Sequence, residues 1–187
     1  MSIVSVIYFS GSGHTAKLAE AVAKGASSVA GTSAQLIALQ GGDIIAGRYK
    51  NPEVIAKLDA SDAIIFGSPT YMGGPAGQFK CFADATVESW SQQKWRDKLA
   101  AGFTTSGSPS GDKLSTLQYF QTLAMEHGMI WIGTGEMPMQ PNGVNRLGGW
   151  LGAMALAQPQ QSPEEAPNAE DKLTGEQLGR RVAQHLL

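Results

Sequence analysis

The sequence predicts an α/β protein in which helices cover both faces of a five-stranded parallel sheet, with the strands in the order 2-1-3-4-5. Five short apolar runs alternate along the chain with segments of helical periodicity. The runs are apolar on consecutive residues, as in strands that are buried on both faces. Five strands fit this three-layer sandwich better than the full dinucleotide-binding fold, which needs six.

The elements up to residue 60 follow from composition and spacing. Ile3–Phe9 is rich in β-branched residues and ends at Ser-Gly, which predicts a buried strand. Apolar residues at helical spacing predict a helix over Ala16–Val29, and the short apolar run Gln35–Leu39 is the second predicted strand. Asn51 and Pro52 mark the start of another helix, because a proline in the first turn loses no hydrogen bond.

The same alternation continues from residue 62. Asp62–Pro69 is the third predicted strand, and residues 75–86 can form a helix with its aromatic side chains on one face. The fourth strand is predicted over Leu99–Gly107. The remaining elements are a helix over 114–128 that ends at a glycine, a strand over Met129–Gly133 and an amphipathic helix over 174–187.

Two segments do not follow the alternation. Thr134–Leu156 is rich in glycine and methionine and receives no assignment. Ala157–Lys172 is polar and proline-rich, and we expect it to be a solvated connector before the last helix. Because two domains in a chain of 187 residues would each be small, residues 1–187 are predicted to form a single domain.

Composition excludes several classes of function. A net charge of −2 gives no electrostatic basis for binding nucleic acid or an acidic membrane surface, and it lacks the acidity of a small electron carrier. No apolar stretch reaches the ~18 residues of a membrane span. The single cysteine, Cys81, and an N-terminus without a basic segment lead us to expect a cytoplasmic protein. No metal-ligand cluster or catalytic triad is visible, so a cofactor is expected to carry the chemistry.

Unusual residues follow the first, third and fourth predicted strands, in segments that we call loop one (Ser10–Thr15), loop two (Ser68–Gly74) and loop three (Thr104–Gly111). In an open parallel sheet the ligand lies outside the carboxyl ends of the strands, where the strand order reverses. All three loops are expected at that edge, which makes it the predicted binding site.

Loop one combines glycines and hydroxyl groups without a lysine or arginine, and this composition indicates a phosphate held by neutral donors. An ordinary helix start capped by Ser12 is the alternative. The pattern Gly11-x-Gly13-x-x-Ala16 also matches a dinucleotide fingerprint, but Asp43 is the nearest candidate for the acidic ribose ligand and lies beyond two glycines. A monophosphate therefore fits better.

The other two loops are less specific when each is taken alone. In loop two, Tyr71 or Met72 can lie against a flat ring, while a plain tight turn is the alternative. Loop three is rich in hydroxyl groups and free of charge, which suits hydrogen bonds to a polar heteroaromatic edge, and a mobile surface loop is the alternative.

Loop one has the form hydroxyl-x-hydroxyl-Gly-x-Thr and resembles the flavodoxin-like FMN proteins. The blocks GHTAKLAEAVAKGAS, DAIIFGSPTYMGGPAGQFKCFAD, KLAAGFTTSG and LAMEHGMIWIG look more closely like the WrbA group of NAD(P)H:quinone oxidoreductases. This resemblance covers most of Ser2–Gly133. It implies a flavodoxin-like sandwich that binds FMN.

The resemblance also implies where FMN lies. Loop one would surround the phosphate, loop two the isoalloxazine, and loop three the ribityl chain and ring edge. A tryptophan that caps the pocket, often from a neighbouring subunit, corresponds to Trp90, which would form the substrate pocket with Tyr71. The implied cofactor-binding residues are Ser10, Gly11, Ser12, Gly13, His14, Thr15, Pro69, Thr70, Tyr71, Met72, Thr104, Thr105, Ser106, Gly107, Ser108, Pro109 and His127.

The activity implied by the resemblance is two-electron transfer from NAD(P)H to a quinone by ping-pong hydride transfer, in a homo-oligomer. Two departures from the family concern the pocket. Tyr71 stands where the family commonly has arginine, and loop three continues through Asp112 and Lys113 where the family has a Gln-Glu pair. A flavodoxin-type carrier of single electrons, without efficient NAD(P)H turnover, and a flavin-binding module without turnover are the alternatives.

Overall fold

The computed structural model describes residues 1–187 and contains a parallel sheet with helices on both faces. Its strands are β1 (Ser2–Tyr8), β2 (Thr32–Ala38), β3 (Ile44–Ile45), β4 (Arg48–Tyr49), β5 (Ala63–Tyr71), β6 (Gly74–Pro75), β7 (Leu99–Ser106), β8 (Ile130–Trp131) and β9 (Ala153–Leu156). Its helices are α1 (His14–Ser27), α2 (Pro52–Asp59), α3 (Gly77–Ala85), α4 (Val87–Ser91), α5 (Lys113–Glu126) and α6 (Ala169–Gln184).

The main sheet has the order β2-β1-β5-β7-β8, which confirms the predicted order 2-1-3-4-5. β1 pairs in parallel with β2 on one side and β5 on the other, so the strand order reverses between β1 and β5. Two short antiparallel pairings were not predicted: β6 folds back on the end of β5, and β3 pairs with β4 apart from the main sheet. The first of these hairpins shapes loop two.

The fifth strand position is divided between two separate segments. Ile130 in β8 pairs with Leu99 at the start of β7, whereas Ala153 in β9 pairs with Phe103 farther along the same strand. Residues 132–152 connect the two segments. β9 was not predicted because its sequence, AMAL, has little β-propensity. Pairing with β7 and the burial of Ala153 and Ala155 stabilise it instead.

Each face of the sheet has its own hydrophobic core. One core packs α1 and α6 against β1, β5 and β7, and these two helices approach closely through glycines. A Cβ atom at Gly179 would clash with the carbonyl oxygen of Val22 on α1. On the other face, Phe66 from β5 lies among aromatic side chains that include Phe79 and Phe120. No helix of this structure has the length and apolar character that crossing a membrane requires.

Several helix boundaries differ from prediction, among them the starts of α1 and α6. α1 begins at His14, two residues earlier than predicted, so the end of loop one forms its first turn. α6 begins at Ala169 because the side chain of Asn168 accepts a hydrogen bond of 2.9 Å from the N–H of Asp171. Apart from Ala169, the residues of the first turn of α6 are charged, so the apolar pattern that predicts a helix does not extend to them. α4 was not predicted separately from α3.

Candidate functional site

The three loops meet at the carboxyl edge of the sheet, beside the point between β1 and β5 where the strand order reverses. They surround a cavity of about 330 Å³, which also has a wall from the segment after β9. The lining residues are Gly11, Ser12, His14, Thr15, Pro69, Thr70, Tyr71, Thr105, Ser106, Gly107, Ala157 and Pro159. The volume lies at the lower end of the range for small-molecule sites.

Loop one leads directly into α1, and most of its backbone N–H groups have no hydrogen-bond acceptor within the chain. Gly13 has φ +92° and precedes the helix without a side-chain cap. The hydroxyl oxygen of Ser10 accepts hydrogen bonds from the N–H groups of Gly13 (3.1 Å) and Ala16 (3.2 Å), so Ser10 and not Ser12 closes the turn. The residues whose backbone N–H groups have no acceptor within the chain are Ser10, Gly11, Ser12, His14 and Thr15. Free N–H groups at a helix N-terminus favour an anion.

His14 uses both ring nitrogens within the protein. Its Nε2 lies 2.8 Å from the carbonyl oxygen of Gln161, which can only accept, so Nε2 carries the hydrogen. In the neutral ring, Nδ1 then accepts from the hydroxyl of Ser12, 3.0 Å away. His14 is only 6% exposed. In this arrangement the imidazole anchors the chain after β9 and has no ring nitrogen free for a ligand.

The segment 157–165 packs against loops one and three, which corrects the expectation that all of Ala157–Lys172 is a solvated connector. The ring of Pro163 lies beside Gly13, and that of Pro159 lies beside Gly107. Lys17 on α1 forms an ion pair of 3.4 Å with Glu164. Sequence reasoning missed this wall, and the three prolines at 159, 163 and 167 were the only available sign of a fixed path.

Loop two places one aromatic ring over the cavity. The side chain of Tyr71 is 48% exposed, and its hydroxyl lies so close to Gly11 that a Cβ atom there would be 2.5 Å from it. Met72 has φ +47°, is fully exposed and does not line the cavity. Pro69 and Thr70 line its inner part. Of the two side chains expected to face a flat ring, only Tyr71 is at the cavity.

Buried threonine hydroxyls join the loops beneath the cavity. The hydroxyl oxygens of Thr15 and Thr105 are 2.8 Å apart, which connects loop one to β7. The hydroxyl oxygen of Thr70 lies 2.8 Å from those of Thr104 and Thr116. Thr104 is fully buried and therefore supports the cavity without lining it. Thr116 on α5 was not identified from the sequence.

Loop three contributes Ser106 and Gly107 to the cavity, while Ser108 and Pro109 are exposed and do not line it. Its conformation depends on Lys113, whose Nζ donates to the Ser106 hydroxyl oxygen (2.7 Å) and to the Ser108 carbonyl oxygen (2.6 Å). Burial lowers the pKa of Lys113 to about 8. Sequence reasoning noted this lysine only as a departure from the family.

Trp90 and His127 do not reach this cavity within one chain. His127 follows α5 and lies next to β8, which pairs with the start of β7, so it is at the opposite edge of the sheet. Both residues line another cavity of about 380 Å³. The His127 ring stacks on Trp95 at 4.1 Å, its Nε2 lies 2.9 Å from the Thr86 hydroxyl oxygen, and burial lowers its pKa to about 4.

Comparisons with known proteins show similarity in sequence and in overall structure. Residues 4–141 match the family described as NADPH-dependent FMN reductase. The chain is 40% identical over 172 residues to flavodoxin FldP of Pseudomonas aeruginosa, covering 89% of this chain and 84% of that protein. It is 37% identical over 146 residues to an NAD(P)H dehydrogenase (quinone) of Chromohalobacter salexigens, covering 71% of each. A flavodoxin, WrbA-like protein from Agrobacterium tumefaciens has a similar structure, with a TM-score of 0.76, 40% identity and coverage of 99% and 97%.

Proposed function

Because this chain belongs to the NADPH-dependent FMN reductase family, we propose that it binds FMN in the loop cavity and passes two electrons from NAD(P)H to a quinone. The observation that carries this proposal is the set of five acceptor-free N–H groups in loop one, at the mouth of a cavity that loops two and three complete. The relative from Chromohalobacter salexigens, named an NAD(P)H dehydrogenase (quinone), supports the choice of donor and acceptor.

The residues at the cavity fit FMN. A terminal phosphate offers acceptor oxygens only, which the free N–H groups of loop one match. A flat apolar ring requires an aromatic or aliphatic contact, and Tyr71 with Pro69 offers one at the same cavity. We assign the phosphate to the backbone of Ser10–Thr15, the ring to Pro69–Tyr71, and the ribityl chain and ring edge to Thr105–Gly107.

FMN, when bound, supplies the chemistry of accepting and donating a hydride. The residues of this chain hold it and stabilise charge. Loop one binds the phosphate through backbone N–H groups that need no reorganisation. The N–H of Gly107, which has no acceptor within the chain and belongs to a cavity-lining residue, can stabilise negative charge at the ring edge. Tyr71 covers part of the cavity and limits access of water.

We infer a ping-pong order in which the nicotinamide leaves before the quinone binds. Donor and acceptor must both contact the same flavin ring beside Tyr71, so we expect them to occupy that position in turn. We also propose a homo-oligomer in which Trp90 of one copy completes the substrate pocket over Tyr71 of another. Trp90 is 44% exposed and does not line the loop cavity of its own chain, which leaves it available to a neighbouring copy.

We also propose a cytoplasmic location, which the free Cys81 supports.

A second candidate function is a flavodoxin-type carrier that exchanges electrons with proteins and has little NAD(P)H turnover. Two observations favour it. The relative that is 40% identical is named flavodoxin FldP, and Tyr71 replaces the arginine expected in the nicotinamide pocket. The two candidates share the FMN site and differ in what reacts there, so one titration separates them.

The test is an anaerobic titration of the FMN-reconstituted protein with NADH and with NADPH, followed by benzoquinone. The oxidoreductase should lose its flavin absorbance with at least one nicotinamide and regain it when the quinone is added. A protein that binds FMN, reacts with neither nicotinamide and passes through a stable semiquinone when dithionite reduces it is the carrier. A protein that does not bind FMN at all contradicts the assignment of all three loops.

A further inference from the structure

Lys113 is a buried cation next to the candidate FMN cavity. It is the first residue of α5, and its side chain is fully buried behind loop three. The ammonium donates to Ser106, which lines the cavity, and to the carbonyl oxygen of Ser108, so only one hydrogen bond separates it from the cavity wall. Loop one, which the Thr15 and Thr105 hydroxyls join to the end of β7, contains no lysine or arginine.

The charge of Lys113 is not neutralised by an ion pair. The carboxylate that faces it is Asp171 of α6, which is 1% exposed and raises the pKa of the lysine. Both oxygens of Asp171 lie 2.8 Å from Arg146, and one of them also accepts from the N–H of Leu156. Arg146 opposes the effect of Asp171 on Lys113. Arg146 also lies 3.5 Å from Glu170, so both carboxylates pair with the guanidinium. The Lys113 ammonium therefore remains a buried cation behind the cavity wall without an ion pair of its own.

We propose that Lys113 is a positioning residue for FMN, which fixes loop three and supplies the buried positive charge that the anionic cofactor requires, and that FMN binding is coupled to proton uptake by this lysine. The inference rests on the proposed function, since it concerns the same cavity. It goes beyond that function by naming Lys113 as the positive charge that balances the phosphate of FMN, since loop one offers the phosphate only neutral donors.

Proton coupling follows from the burial of the lysine. Without a ligand, burial outweighs Asp171 and the pKa of Lys113 is about 8, compared with about 10.4 for a solvated lysine. Between those two values the free protein has lost this proton. An anion in the cavity favours the ammonium and raises its pKa, so binding takes up a proton in that interval. The affinity then falls as pH rises, by about tenfold for each pKa unit of the shift.

The experiment compares the wild type with Lys113→Met and Lys113→Arg. FMN affinity is measured by quenching of flavin fluorescence from pH 7 to 10, and proton uptake is measured in weakly buffered solution over the same range. The wild type should take up a proton on binding FMN, with a maximum between about pH 8 and 10. Lys113→Met should bind FMN roughly tenfold more weakly at pH 7 and show no uptake in that interval. Riboflavin, which lacks the phosphate, should cause no uptake by the wild type.

The Lys113→Arg variant separates the effect of the positive charge on FMN affinity from the effect of proton uptake. Its guanidinium keeps the charge at every pH of the experiment, so FMN affinity at pH 7 should stay within a few fold of wild type while proton uptake disappears. A lysine with a purely structural role would not give a variant that keeps its FMN affinity and loses only the proton uptake. Thermal unfolding of each apoprotein checks that it folds. If Lys113→Met does not fold, the uptake by the wild type and its loss in Lys113→Arg still decide the question.

The inference is overturned if FMN binds to the wild type without proton uptake, if riboflavin causes the same uptake, or if Lys113→Met matches the wild type in affinity and uptake. A wild type that does not bind FMN refutes the proposed function, and the inference with it. Normal FMN binding without uptake refutes the inference alone, so the two failures are distinguishable.

Discussion

Replacing Ser10 by alanine tests how loop one is held ready for a phosphate. The Ser10 hydroxyl oxygen is the acceptor for the N–H groups of Gly13 and Ala16, at 3.1 Å and 3.2 Å. The backbone around it is half-buried, and no other acceptor in the chain serves these two donors. Ser10→Ala therefore removes two hydrogen bonds that keep the free N–H groups of the loop together on one side of the turn.

The magnitude follows from these two bonds. Each contributes about 1 kcal/mol, so the bound conformation of loop one should become about 2 kcal/mol less favourable. That loss corresponds to a roughly 30-fold weaker FMN affinity, which a fluorescence titration measures directly. Ser12→Ala is the matched control, because the Ser12 hydroxyl bonds only the His14 ring and does not support the turn. We expect this control to weaken binding by less than about fivefold.

A second measurement separates loop conformation from direct contact with the cofactor. In the apoprotein, amide hydrogen exchange at Gly13 and Ala16 should accelerate in Ser10→Ala and remain unchanged in Ser12→Ala. FMN affinity in Ser10→Ala within twofold of wild type would refute the reasoning. A larger loss in Ser12→Ala than in Ser10→Ala would also refute it, because Ser12 would then be the cap that the sequence alone allowed.

Three further predictions concern stability. Gly179→Ala should lower the free energy of unfolding in urea by about 1–3 kcal/mol, because its Cβ atom meets the backbone of α1, whereas Gly42→Ala, with no atom near its Cβ, should have little effect. Because the pKa of His127 is low, the unfolded chain binds this proton more readily, and the free energy of unfolding of the wild type should fall by about 3 kcal/mol between about pH 6.5 and pH 4. His127→Gln should lack this part of the pH dependence, and identical pH profiles of the two proteins would contradict the prediction. Asn168→Ala should cost about 1 kcal/mol through loss of the α6 cap, and an unchanged urea midpoint would show that the cap is dispensable.

The centre of the sheet was predictable because β1, β5 and β7 carry consecutive apolar residues. Only the second half of the edge strand β2 does so, and its start at Thr32 was missed. The run from Ile3 to Phe9 identifies a central strand without any knowledge of its neighbours. β9 was not predictable in this way, since Ala153 and Ala155 are as suitable for a helix as for a strand. Their conformation is determined by an edge of β7 that only the folded sheet provides.

The sequence predicted where the candidate cavity lies, but it did not predict all of the residues that form and support its walls. Glycines and hydroxyl groups after three strands indicated which loops meet, because parallel strands direct their carboxyl ends to one edge. The contact between His14 and Gln161 spans 147 residues and has no local pattern. The role of Lys113 also depends on burial, which the sequence around it does not reveal.

The division of the fifth strand affects the order in which a nascent chain acquires its parts. The segment from Ser2 to Gly133, which resembles the family, leaves the ribosome before β9 and the wall that contains Pro159. Until then, the outer half of β7 is an unpaired strand edge, available to other nascent chains. Neither that edge nor the cavity is complete until the C-terminal part has been synthesised. We therefore expect flavin loading to follow release from the ribosome, and chaperones that shield strand edges to matter most in the interval before it.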